Sequence, residues 1–112
     1  MEAERFGVRW GLAGGVAIAT MDEAREVALY AQNAGFDGLW ISHAGAIHPV
    51  VALSALGEVA PDLIEFGTSV IPIFGRHQVD VAQQALSAQS ILDGRFTLGI
   101  GAGSKAQAED RL

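Results

Sequence analysis

Between residues 66 and 104 the sequence reads FGTSVIPIFGRH (66–77), an Ala/Gln-rich run, and then GRFTLGIGAGS (94–104). That order predicts a strand, a break at Pro72, a helix, and a second strand ending in Gly99, Gly101 and Gly103. Glycine presents bare backbone, so something must come close to the chain at the end of that second strand. Parallel strands joined by a helix, with close approach at their carboxyl ends, are the usual build of a cofactor site in an α/β protein.

The same alternation extends toward the N-terminus. Residues 6–12 (FGVRWGL) and 36–42 (FDGLWIS) are strand candidates, the second with an almost continuous apolar tail that suggests burial on both faces. Between them a helix begins at Thr20, with Glu23 at the capping-box position. It places Ala24, Val27, Ala28, Ala31 and Ala34 on one face and stops at Gly35. Pro49 opens a second helix bearing Val50, Leu53, Leu56 and Val59, which Pro61 ends. A third strand is expected over 64–71, closed by Pro72. A third helix follows over 79–92, with Ala82, Ala85, Leu86 and Gln89 on one face and Gly94 as its stop. The fourth strand falls at 95–100, and a fourth helix begins near Ala106.

Strand starts at 6, 36, 64 and 95 lie about 30 residues apart, the length of one strand–helix unit. Right-handed crossovers make such units wind steadily in one direction. A closed barrel of eight units needs about 250 residues, and an open doubly wound sheet is the other solution. The expectation is an α/β chain of 112 residues forming the N-terminal half of a TIM (β/α)8 barrel, with about four parallel strands and three to four helices. Residues 1–112 then form a single partial domain whose outer strand edges invite a second copy or the remainder of the barrel.

Half the residues are apolar and 18% are charged, the balance of a packed globular protein. The net charge is -6, and the arginines at 5, 9, 25, 76, 95 and 111 form no cluster. Nucleic acid and anionic membrane surfaces are therefore disfavoured partners. The absence of cysteine removes disulfides, thiolate metal ligands and a cysteine nucleophile, and suits a cytoplasmic location. Arg5 and Arg9 before the apolar run 10–19 have the order of a secretory leader. Glu2, Glu4 and the glycines at 11, 14 and 15 speak against one. No stretch approaches the roughly 18 apolar residues of a membrane span.

In a barrel the reacting groups lie at the carboxyl ends of the strands and in the following loops. That rule selects 12–15, 42–48, 69–77 and 101–105, and these segments hold all three histidines, His43, His48 and His77.

GTSVIP followed by RH, AQQALSAQ and GRFTLGIGAGS, together with AGFDGLWIS at 34–42, resembles the bacterial-luciferase-like family of flavin- and deazaflavin-dependent oxidoreductases. The resemblance runs over 6–105. It implies a TIM barrel with a small-molecule substrate, monooxygenase-like or hydride-transfer chemistry at the barrel mouth, and a non-prolyl cis peptide at Ser69–Val70 behind the cofactor ring. It assigns Ser69, Val70, Gly101, Ala102, Gly103 and Ser104 to cofactor contact. The Gln-rich third helix is most similar to members using deazaflavin, so coenzyme F-420 is the preferred cofactor and FMN the other.

The sequence also departs from that pattern. Members often carry an Asp-His pair after the second strand and a glutamate after the fourth-strand glycines, where this chain has His43-Ala44 and Ser104. A full acid/base pair is not implied, and His43 is the candidate for proton transfer, the other reading being a loop histidine that only hydrogen-bonds. Gln78 stands where the family has proline. Arg76 and His77 read as structural, with a possible role toward an anion at the helix N-terminus. His43 and His48 lack the third ligand of a metal site. The family holds its cofactor tail with later segments, so this stretch alone is expected to bind cofactor weakly and turn over little. Two other readings stay open. Gly101, Gly103 and Ala106 spell the G-x-G-x-x-A of a Rossmann NAD(P) site, and a non-catalytic truncated paralogue that pairs with another chain has the same edges.

Overall fold

In the computed structural model, residues 8–14, 18–43 and 46–102 are described. β1 (Gly11–Gly14), β2 (Gly38–Ile41), β3 (Glu65–Thr68) and β5 (Phe96–Thr97) form one parallel sheet in the order β1-β2-β3-β5. Each strand pairs with its predecessor, so the winding never reverses. A Rossmann sheet must reverse its strand order to make its dinucleotide crevice, and this topology removes that reading.

α1 (Met21–Asn33), α2 (Pro49–Ser54) and α3 (Gln78–Ile91) connect the strands. Thr20 caps α1, accepting from the Glu23 N–H at 3.1 Å, and Gly35 follows the helix with φ +84°. The small side chains of Ala24, Ala28 and Ala31 let α1 lie close on the sheet. They join Leu39, Ile41, Phe66 and Phe96, which register places on one sheet face, in a single core cluster with Leu53 and Ala88. On the opposite face the Trp40 ring lies across Gly67, where a Cβ would overlap it.

Four boundaries differ from the sequence pattern. β1 runs over Gly11–Gly14 rather than 6–12, because Trp10 and Asp37 fix its entry. The Trp10 N–H donates to Asp37 Oδ2 at 2.8 Å and the Asp37 N–H to Trp10 O at 2.7 Å, leaving 8–10 outside the ladder and 6–7 outside the described residues. α2 stops at Ser54, whose hydroxyl donates back to Val50 O at 2.8 Å. Leu56 is buried from a turn instead, because the carbonyls of Gly57, Pro61 and Leu63 face Arg95 rather than a helix ladder.

α3 buries Ala88 and packs Ala85, but Leu86, about 100° further round the helix, is 71% exposed. Both long strands around the glycines are also split. Ile71–Pro72 (β4) and Ile100–Gly101 (β6) form a separate two-stranded parallel sheet, with Pro72 as the last residue of its strand. The expected fourth helix lies outside the described residues. No helix among the described residues is long and apolar enough to cross a membrane.

Candidate functional site at the carboxyl ends of the strands

Register explains the split. Gly67 pairs with Thr97 and Ile71 with Ile100, so four steps on the β3 side oppose three on the β5 side, and one residue bulges between them. The Ser69–Val70 peptide within this bulge is cis. Side chain and backbone pin it from three directions. The Ser69 N–H donates to Ile41 O at 2.9 Å, the His43 N–H makes a long 3.4 Å bond to Val70 O, and the Ile71 N–H donates to Gly99 O at 2.8 Å.

Thr68 is the one buried polar side chain among the described residues, and its hydroxyl completes the interrupted ladder. Oγ1 donates to Gly99 O and accepts from the Gly99 N–H, both at 2.8 Å. The Gly99 N–H thereby gains a partner where the ladder is interrupted, and the Gly99 carbonyl gains a second donor beside the Ile71 N–H. The close approach that the glycines imply is made by the protein itself at two positions. A Cβ on Gly99 would collide with the Thr68 carbonyl oxygen, and a Cβ on Gly101 would lie 2.6 Å from Val70 Cγ2. Val70 thus rests on bare glycine backbone while 40% of it stays exposed.

Beside the bulge, Arg76 joins two loops that are far apart in sequence. Its Nη2 lies 2.6 Å from His43 Nε2 and its Nη1 lies 3.2 Å from His48 Nε2, with the two imidazoles edge to face at 5.6 Å between ring centres. His48 also caps α2, its Nδ1 accepting from the Val50 N–H at 3.2 Å. Where a metal would have to sit between the imidazoles, a guanidinium stands, and the described residues contain no group of three ligands fit for a metal ion. His77 is apart from this cluster. It caps α3, with Nδ1 accepting from the Val79 N–H at 3.1 Å.

Of the residues singled out in the sequence, Ser69, Val70 and Ala102 are exposed, and Gly101 and His43 are half-buried. Gly103 and Ser104 lie outside the described residues. His48, Arg76 and Thr68 were not among the cofactor or proton-transfer candidates. No spacing rule links positions 43, 48 and 76, although all three fall in strand-end segments. A lone threonine in an apolar strand was the available sign for Thr68. Arg76 also lines an apolar hollow of about 380 Å³ with Ile71, Ile73, Val81, Leu98 and Ile100. A second hollow of about 400 Å³ lies between α2 and α3.

Burial lowers the pKa of His48 below its ordinary 6.5, and the nearby Arg76 and His43 lower it further. The unfolded chain therefore takes up this proton more readily than the folded one. The stabilising effect of neutral His48 is complete above pH 6.5 and is lost as pH falls through the depressed folded value. Urea-unfolding midpoints are expected to decline below that pH, and His48→Asn, which keeps a capping side chain, is expected to flatten the decline. An unchanged slope in this variant would remove His48 as its cause.

Two solved structures share this fold. One is the oxygenating constituent of 3,6-diketocamphane monooxygenase from the CAM plasmid of Pseudomonas putida, a type II Baeyer-Villiger monooxygenase in complex with FMN. It is 25% identical with a TM-score of 0.75, and the match covers 91% of this chain and 31% of that one. The other is the coenzyme F420 dependent tetrahydromethanopterin reductase from Methanopyrus kandleri, 19% identical with a TM-score of 0.77, covering 91% of this chain and 29% of that one. The chain thus spans about a third of the length of either protein. No curated protein matches it by sequence. The family model described as luciferase-like monooxygenase matches residues 6–112.

Proposed function

The chain belongs to the luciferase-like monooxygenase family, and from that membership we propose that it supplies one wall of a flavin- or deazaflavin-dependent oxidoreductase site acting on a small organic substrate. Residues 1–112 are read as one partial barrel domain, with the remaining strand–helix units supplied by further chain or by a partner. The observation that carries this reading is the pinned Ser69–Val70 bulge. Its half-exposed Val70 rests on Gly101 and offers an apolar backing, with the exposed Ala102 beside it.

When bound, the reduced ring supplies the hydride or the electrons for oxygen chemistry. The chain's own residues orient and protect. Val70 would back the ring and exclude water from one side, and Ser69, Gly101 and Ala102 would contribute backbone and hydroxyl contacts around it, with Gly103 and Ser104 assigned to the same site by the family resemblance but outside the described residues. His43 is the proton-handling group at the mouth, and Thr68 holds the bulge in place through Gly99.

Coenzyme F420 is the preferred ligand, supported by the likeness of the Gln-rich α3 to deazaflavin-using members and by the fold shared with the F420-dependent reductase. The FMN complex of the 25% identical monooxygenase favours FMN as the second reading. Titrating the full chain separately with each cofactor, followed by absorbance, distinguishes them. Tighter F420 binding is expected, with Val70→Asp weakening it about tenfold or more by placing a charge against the ring face. Tighter FMN binding defeats the cofactor preference. Equal affinity in the Val70→Asp protein defeats the wall. A second copy of the chain pairing at the open strand edges is the partner reading, which sedimentation would register as a dimer.

A further inference from the structure

We infer that Arg76 is a positioning residue that fixes His43 in the neutral Nδ1–H tautomer, so that the imidazole at the barrel mouth is held in one protonation pattern and one orientation. A guanidinium carries only donors and keeps its charge throughout the accessible pH range. At 2.6 Å from Arg76 Nη2, His43 Nε2 must therefore be the acceptor, and in a neutral ring the proton then resides on Nδ1.

His48 cannot take the same share of Arg76. A neutral imidazole has one ring lone pair for hydrogen bonding, and here two donors approach it at 3.2 Å: the Val50 N–H at Nδ1 and Arg76 Nη1 at Nε2. Serving the first leaves Nε2 protonated and facing the cation, and serving the second gives up the α2 cap. The contact to His43 is shorter by 0.6 Å, which is 3.2 Å less 2.6 Å, and accepting it costs no helix cap. Charge-assisted bonds of that length are the stronger kind. Arg76 is accordingly committed to His43, while His48 caps α2 and remains uncharged beside the guanidinium. Arg76 makes no salt bridge to a carboxylate among the described residues.

The role of His43 in proton handling rests on the proposed function, but the tautomer does not. Long-range proton–nitrogen correlation spectra of ¹⁵N-histidine-labelled full chain at neutral pH read the tautomer of each ring without cofactor, and single His→Gln variants assign the three rings. His43 is expected as a single Nδ1–H form. In Arg76→Gln it is expected to shift to a mixture dominated by Nε2–H, and the titration midpoint of His48 is expected to rise as the neighbouring cation is lost. In Arg76→Lys, which keeps the charge as a point but loses the planar fork, the His48 midpoint stays depressed while the single His43 form is lost. A wild-type His43 in the Nε2–H form overturns the inference, as does an Nδ1–H form that persists in both variants. The wild-type spectrum alone decides if the variants fail to fold. Loss of cofactor binding with an intact Nδ1–H signal would count against the proposed function and leave the positioning by Arg76 standing.

Discussion

Gly99→Ala is expected to destabilise the fold by about 3 kcal/mol or more, the upper range for forcing extra volume into a packed site. The added methyl would meet the Thr68 carbonyl oxygen, which is backbone and has no rotamer to yield. Displacing it also breaks the pair of 2.8 Å bonds between the Thr68 hydroxyl and Gly99, so clash and lost hydrogen bonds act together. Thr68→Val isolates the second contribution and is expected to cost about 1–3 kcal/mol by leaving the Gly99 N–H and carbonyl without that partner. Gly94→Ala is the contrasting control. Its φ of +84° disfavours a side chain, but nothing lies within 4 Å of the new Cβ, so only the backbone penalty of about 1–2 kcal/mol applies. Chemical denaturation of the three variants measures the order. If Gly99→Ala unfolds no more easily than Gly94→Ala, the bulge is not held as described.

The second large effect is expected at the opposite end of the sheet. Arg95 has no carboxylate partner among the described residues and instead binds carbonyls. Nε donates to Leu92 O at 2.9 Å, and Nη1 to Leu63 O at 2.9 Å and Pro61 O at 3.3 Å, while Nη2 reaches Gly57 O at 3.4 Å. The guanidinium carbon also lies 5.2 Å from the centre of the Phe66 ring. One side chain thus ties the end of α3 and the segment between α2 and β3 to the start of β5. Arg95→Met keeps the apolar stem and the backbone bond to Leu92 O but removes the side-chain donor from the part-buried Leu63 and Gly57 carbonyls, at a cost of about 3 kcal/mol. Arg95→Lys, a point donor in place of a planar fork, should recover less than half of that loss. A methionine variant within about 0.5 kcal/mol of the parent would show that water replaces Arg95 at no cost.

Much of the architecture was legible because periodicity and punctuation are local. The Thr20 cap, the alanine face of α1, Gly35 and Gly94 each act within a turn or two of chain. The unit length of about 30 residues implied parallel strands in sequential order before any pairing was visible. The Ser69–Val70 assignment came with the family resemblance and not from residue chemistry, and a cis peptide occupies that position. The misread boundaries share a different cause. β1 begins where Asp37 meets Trp10, and α2 ends where distant carbonyls turn to Arg95, so partners 27 to 38 residues away decide them.

The glycines from 99 onward show the division most clearly. The sequence alone determined that bare backbone is needed at the end of the fourth strand, because only an absent Cβ explains such spacing. Tertiary structure decided what fills the space at Gly99 and Gly101: the Thr68 carbonyl and the Val70 side chain, brought there by a one-residue bulge. It likewise decided that Arg76 stands between His43 and His48, so that the loop after β2 meets the loop before α3 only when parallel strands bring their carboxyl ends together. Local chemistry is written residue by residue, whereas contacts across 28 to 33 residues exist only after the sheet has closed the distance.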